Sequence, residues 1–283
     1  MASSWIKGIV SARWLVLAGL FLGLFLLYSY FVIKGHFAVL TLQQEQWLLQ
    51  RPLTRFDCVV EEWKNLGEIP ASLILMLGLC MICILLGYRW RVALALLLLL
   101  GFGIGCEYVG KQVVQQPVTA SIGRGMTALT CPQIARQSHV TQLEVFLGMW
   151  WVAPAPHNAV IKREYIGATS SIYGEKGFYN YGYPSGHSLR WMLLGLVACW
   201  LAWRHIKRPW LHWLCTVLAF TLAFCGGLGI FYVGGHLFTD ILGGYLLGTC
   251  LACCAISILQ AKASRRMSPG YLLPTQLVNR SEQ

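Results

Sequence analysis

Residues 12–33 read ARWLVLAGLFLGLFLLYSYFVI. Arg13 opens the stretch, and no other charge interrupts it before Lys34. An α-helix needs ~20 predominantly apolar residues to cross the hydrocarbon core of a bilayer, and this run supplies them. It is too long for a signal-peptide core and lacks a small-residue cleavage site, so it predicts a retained anchor. Runs of similar length recur at about 69–88, 91–110, 187–204, 209–231 and 236–260. The pattern predicts an all-α fold, a bundle of six transmembrane helices.

Composition agrees. The 283 residues are 57% hydrophobic and the mean hydropathy is +0.58, more apolar than a soluble domain. A formal net charge of +11 raises the question of nucleic acid. The basic residues, however, sit in short clusters beside apolar runs, as the positive-inside rule expects, and no nucleic-acid partner is predicted. "GYRWR" (87–91) and "WRHIKRPW" (203–210) are compact and basic, as are the ends at Lys7, Arg13, Lys262, Arg265 and Arg266. Both termini are therefore expected in the cytoplasm. Segment parity then places the loops 34–68, 111–186 and 232–236 together on the outer face. Residues 38–66 are amphipathic and broken at Pro52, which predicts two short helices capping the outer interface. Trp150 and Trp151 are expected in the headgroup layer. The organisation expected is one membrane domain over 1–265 and a flexible cytoplasmic tail over 266–283.

Most of the eleven cysteines lie within spans, where a small polarizable hydrophobe is the ordinary role. Cys250, Cys253 and Cys254 have ligand-like spacing without a His or a second Cys pair nearby, and no metal or other cofactor is predicted. Cys58 and Cys131 are the two in outer loops. An oxidising compartment would allow them to pair, and the sequence leaves that open.

Two motifs carry chemistry. In "YVGGHLFTDILGG", His236 and Asp240 are four residues apart, a spacing that puts both on one helical face. Ionisable residues inside spans are expensive and tend to be functional. Asp240 would hold one imidazole nitrogen and leave the other free as a nucleophile; taken alone, the pair reads equally well as a structural tie between helices. The second motif is "PSGH" (184–187). At average residue frequencies it arises by chance in roughly one chain in a thousand of this length. Pro184 ends the loop, and Ser185 and Gly186 fall where a helix begins, so free backbone N–H groups face any anion there. His187 can then protonate a leaving oxygen beside that anion.

Together these residues resemble the type 2 phosphatidic acid phosphatases, integral-membrane lipid phosphatases. The family's second motif is PSGH, matched at 184–187. Its third is Ser-Arg, five residues, His, three residues, Asp. "GIFYVGGHLFTD" (229–240) fits that frame at His236 and Asp240, and "DILGG" follows. The resemblance covers about 40–260. It implies a metal-independent reaction in which His236 attacks phosphorus, a phosphohistidine forms, and His187 protonates the leaving group. Two departures stand out. The third motif's Ser-Arg is Gly229-Ile230. The first motif (Lys, six residues, Arg-Pro) aligns Lys111 but places Val118-Thr119 at Arg-Pro; a second register through "SIGR" (121–124) places Thr119 at the lysine. The chain therefore resembles a divergent member lacking the family's phosphate-binding arginines. Lys111, Ser185, Gly186 and Arg190 are the expected phosphate contacts, with Arg190 one turn beyond His187 as the substitute cation.

The expected function is hydrolysis of a lipid phosphomonoester or pyrophosphate at the periplasmic face of a bacterial inner membrane. Undecaprenyl diphosphate, phosphatidylglycerophosphate and phosphatidate are the candidate substrates. A non-catalytic member that binds a lipid phosphate or a protein partner is the alternative. A proton relay in a transporter is the third class, and the lack of broken-helix pairs and pseudo-symmetric halves counts against it. The sequence is silent on oligomeric state.

Overall fold

The computed structural model describes residues 2–52, 54–114, 127–129, 163–165 and 182–266. Its helices are α1 (Ala2–Ile33), α2 (Ala38–Gln50), α3 (Arg55–Lys64), α4 (Ile69–Leu85), α5 (Trp90–Val113), α6 (Gly186–His205), α7 (Pro209–Tyr232) and α8 (Phe238–Arg266), with a 3₁₀ turn at Asn65–Gly67. Every apolar run expected to span forms a helix. Among the described residues, four helices are long and apolar enough to cross a membrane: α5, α7, and the stretches Ala12–Ile33 and Phe238–Ala261. A fifth crossing arises if Phe56–Gly67 and Ile69–Leu85, which meet at a 62° bend, count as one broken span. The helix α6 is not among them, because its polar and basic residues dilute its apolar content. The expected tail at 267–283, and Trp150 and Trp151, lie outside the described residues.

The bundle is all-helical as expected, and the loop adds one short strand pair. Within the loop 111–186, β1 (Thr127–Leu129) pairs antiparallel with β2 (Arg163–Tyr165), Ala128 opposite Glu164. Three residues are too few to show a period-two pattern in sequence.

The outward faces of the bundle are apolar. Val16, Ile74 and Leu85 are exposed by 71%, 69% and 78%, which in water would be a liability and in lipid is the requirement. The centre is occupied by α8 and α6. Of the apolar window of α8, 72% is buried, against 17% for α1 and α7. Leu96 and Leu100 of α5, Leu189 and Leu193 of α6, and Leu251 and Leu259 of α8 form the main core with Met76 of α4. Close approach of α6 and α8 depends on glycine. A Cβ at Gly244 would lie 2.4 Å from the Ser185 carbonyl oxygen, and one at Gly248 2.5 Å from that of Leu189. Small residues at a helix crossing let backbones touch where no hydrophobic effect drives association.

The amphipathic segment forms two helices, α2 and α3, divided around Pro52 as expected. Thr54 caps α3 in a capping box with Asp57, whose carboxylate accepts from the Thr54 backbone N–H at 2.7 Å. Arg51 pairs with the buried Asp57, donates to the Tyr232 carbonyl, and lies 4.1 Å over the Tyr232 ring. Trp47 stacks on Phe231 at 5.8 Å, and Gln44 accepts from the Phe238 backbone N–H. The pair α2–α3 thereby clasps the turn joining α7 to α8.

Candidate active site

That turn, 233–237, carries His236. Gly234 adopts φ 81°, a left-handed conformation that side chains resist, and α8 begins only at Phe238. His236 therefore stands before the helix, not on its first turn as the four-residue spacing suggests. The two residues still meet. Asp240 is fully buried, and its Oδ2 accepts from the Leu237 backbone N–H at 3.1 Å while lying 3.5 Å from His236 Nδ1. One carboxylate thus caps the helix and faces the imidazole. At 3.5 Å the contact with His236 is an ion-pair distance longer than a good hydrogen bond.

The other motif docks onto the first. Tyr183 is buried, its hydroxyl 2.7 Å from Ser29 Oγ of α1, and its ring stacks on Phe25. Ser185 caps α6, its Oγ accepting from the Ser188 N–H at 3.4 Å, and its backbone N–H donates to the Asp240 carbonyl at 2.9 Å. This last bond places the two motifs in register. As a result the His187 and His236 rings lie 6.0 Å apart between centroids, tilted by 61°. Near-attack geometry needs about 3–3.5 Å from nucleophile to phosphorus, and acid catalysis needs about 3 Å from acid to leaving oxygen. A ring separation on the order of 6 Å suits one phosphoryl group touching both.

The expected cations are placed less simply. Lys111 Nζ lies 2.7 Å from Glu107 Oε1, and Arg190 Nη1 lies 2.6 Å from Glu107 Oε2. Arg190 Nε also donates to the Gly67 carbonyl at 2.8 Å. Glu107, Lys111 and Arg190 are all buried. A Cβ at Gly186 would lie 1.9 Å from Glu107 Oε2, so the carboxylate fills the space beside the first residue of α6. Glu107 was not singled out in the sequence, although a carboxylate within an apolar run one turn before Lys111 was a usable signal. Glu68 was also missed. It precedes Pro70 at the start of α4, and its Oε1 lies 3.3 Å from His187 Nε2, in ion-pair range but off the hydrogen-bond axis. The His187 imidazole is the largest influence on Glu68 and holds its carboxyl well below the usual value, at about 2, against the opposing effect of burial. Burial is the larger influence on His187 and disfavours its charged form, and Glu68 offsets part of that cost.

At the lost arginine, Ile230 is 3% exposed and belongs to an apolar cluster with Met192, Ala223, Ile241 and Tyr245. Gly229 and Ile230 also line an apolar cavity of about 520 Å³ between α3 and α7, walled by Phe56, Val60, Trp63 and Trp191. Trp191 links it to the site, since a Cβ at Gly67 would lie 2.6 Å from the His187 ring and 3.0 Å from the Trp191 indole nitrogen. Positions 118, 119 and 124 lie outside the described residues, as does Cys131. Cys58 is disulfide-bonded. Among the described residues no cluster of His, Cys, Asp and Glu suits a metal ion.

A family model, the PAP2 superfamily, matches residues 138–264, which include both histidines and Asp240. The fold is similar to the crystal structure of a transmembrane PAP2 type phosphatidylglycerolphosphate phosphatase from Bacillus subtilis, with a TM-score of 0.57 and 16% sequence identity over 89% of this chain and 98% of that one. No curated protein matches. The chain is thus similar to the PAP2 superfamily over its two histidine motifs, and similar in fold to a transmembrane PAP2 type phosphatase.

Proposed function

We propose that this integral-membrane protein is a lipid phosphate or diphosphate phosphatase acting through a phosphohistidine. The observation that carries the reading is the 6.0 Å approach of His187 and His236, with Asp240 behind His236. In this mechanism Asp240 orients the His236 imidazole through Nδ1, and Nε2 attacks phosphorus. The P–N bond forms as the bond from phosphorus to the leaving lipid oxygen breaks, and protonated His187 gives that oxygen its proton. His187, now neutral, takes a proton from water. The water oxygen attacks phosphorus, the P–N bond breaks, and phosphate leaves. Glu68, 3.3 Å from His187 Nε2, offsets part of the cost that burial imposes on the charged imidazole, and a bound phosphate anion adds to that support. Ser185, Gly186, Lys111 and Arg190 contact the phosphate oxygens, where electrostatic stabilisation counts most.

The apolar cavity beside Trp191 suits a lipid chain, and its wall at Gly229-Ile230 is where a polar clamp has been exchanged for apolar surface. Phosphatidate, phosphatidylglycerophosphate and undecaprenyl diphosphate are the substrates to test; the Bacillus subtilis neighbour acts on the second. The site faces the periplasm of a bacterial inner membrane in this reading. Support comes from the Cys58 disulfide in α3, beside the site, since such bonds persist in oxidising compartments.

A second reading, a non-catalytic lipid-phosphate binder, draws on the pairing of both cations with Glu107. The deciding experiment is phosphate release from these lipids by purified protein without added metal, comparing wild type with His236→Ala. Release by the wild type alone supports the enzyme. Equal release by both removes the phosphohistidine mechanism.

A further inference from the structure

Three of the groups expected to hold the substrate phosphate converge on a carboxylate already present. Lys111 approaches Glu107 at 2.7 Å, Arg190 at 2.6 Å, and the Gly186 Cα faces the same carboxylate so closely that no Cβ fits between them. Two cations and the first residue of a helix are the elements of an anion site. Here they surround an internal anion. From this geometry we infer that Glu107 is a specificity-determining residue: its carboxylate occupies the phosphate seat of the resting protein, and an incoming phosphate must displace it.

The inference rests on the phosphate reading of the site and adds to it. A displaced internal anion competes with every external one, so small phosphates, which bring only charge, bind weakly. A phosphate on an apolar chain gains additional affinity from burial, and the cavity beside Trp191 supplies the surface. The class favoured is therefore a lipid-anchored phosphate over inorganic phosphate or a soluble monoester. Glu107 also keeps Lys111 and Arg190 paired while the seat holds no substrate, when two buried cations without a counter-charge would be costly.

The test uses the full chain in detergent micelles, with phosphatidate as substrate and inorganic phosphate and orthovanadate as competing anions. Glu107→Gln keeps the shape and removes the charge. It is expected to lower the inhibition constants of both anions tenfold or more. Constants unchanged or raised would overturn the inference, because a carboxylate that only positions Lys111 and Arg190 would weaken anion binding when lost. If the variant does not fold, a structure of the wild type with orthovanadate decides. Parting of the Arg190–Glu107 contact supports displacement, and an anion bound with that contact intact overturns it. Hydrolysis with unchanged inhibition constants removes this inference alone. A wild type that neither releases phosphate nor binds either anion removes the phosphate reading, and this one with it.

Discussion

At the scale of single residues, His236 and His187 differ in what holds them. His236 has a buried carboxylate 3.5 Å from Nδ1, which in the proposed mechanism would orient the ring and leave the other nitrogen free. His187 has the half-exposed Glu68 instead, a partner suited to a group that changes charge. Replacing His236 or His187 by Ala should each abolish phosphate release, while Asp240→Asn should leave a reduced rate, since it keeps the cap but not the charge. Single-turnover assays with lipid radiolabelled in the phosphate check this: absence of label on the protein in His187→Ala would locate the block at the leaving-group step, and trapped label would locate it at hydrolysis of the phosphohistidine. Arg190→Ala should lower turnover tenfold or more, in line with the ~1.4 kcal/mol or larger worth of a charge-assisted contact to phosphate. A rate within twofold of wild type would show that Arg190 does not reach the substrate.

Among the elements, the joint between α6 and α8 matters most, because it carries one motif on each side. Its closeness comes from Gly244 and Gly248 facing carbonyl oxygens, and its register from the Ser185 N–H to Asp240 carbonyl bond. Gly244→Ala should force the helices apart and cost about 1–3 kcal/mol, read as a lowered thermal midpoint in detergent with a parallel fall in activity. Full activity at an unchanged midpoint would mean that the joint is not as tight as described. The third motif's lost arginine belongs here too. Ile230 points into an apolar cluster, so Ile230→Arg should not restore a clamp. A buried guanidinium without a partner costs several kcal/mol, and the expected result is a strongly lowered midpoint with no gain in rate. A stable and faster Ile230→Arg protein would show that the position opens toward the phosphate.

For the whole molecule, the two ends of the bundle differ in chemistry. Tyr88, beside one basic loop, meets His205, beside the other, at 3.0 Å, so both clusters lie at one end. The histidine pair, Glu68 and the Cys58 disulfide gather where α2–α3 clasps the α7–α8 turn. Reduction of the disulfide should lower stability by roughly 2–4 kcal/mol without removing activity, and melting curves with and without reductant measure this. Cys58→Ser should then melt alike under both conditions.

The sequence by itself determined the membrane class, the helices and both histidine motifs. Long apolar runs have one stable solution in lipid, where every backbone group must be bonded within its own segment, so local composition suffices. The break at Pro52 and the helix start after Ser185 were legible for the same reason, as capping and proline chemistry are local. Which side chains face one another was decided only by tertiary structure. The spacing of His236 and Asp240 suggested a helical face, but the Gly234 turn puts His236 before the helix, and Asp240 reaches it by bending back to cap. Lys111 and Arg190 read as two cations waiting for a phosphate. The fold brings Glu107 between them, because α5 and α6 pack with that carboxylate against Gly186, where no side chain intervenes. An interaction between residues 83 positions apart leaves no periodic trace in a single chain. It follows from how the helices pack, and that is where the character of this site was set.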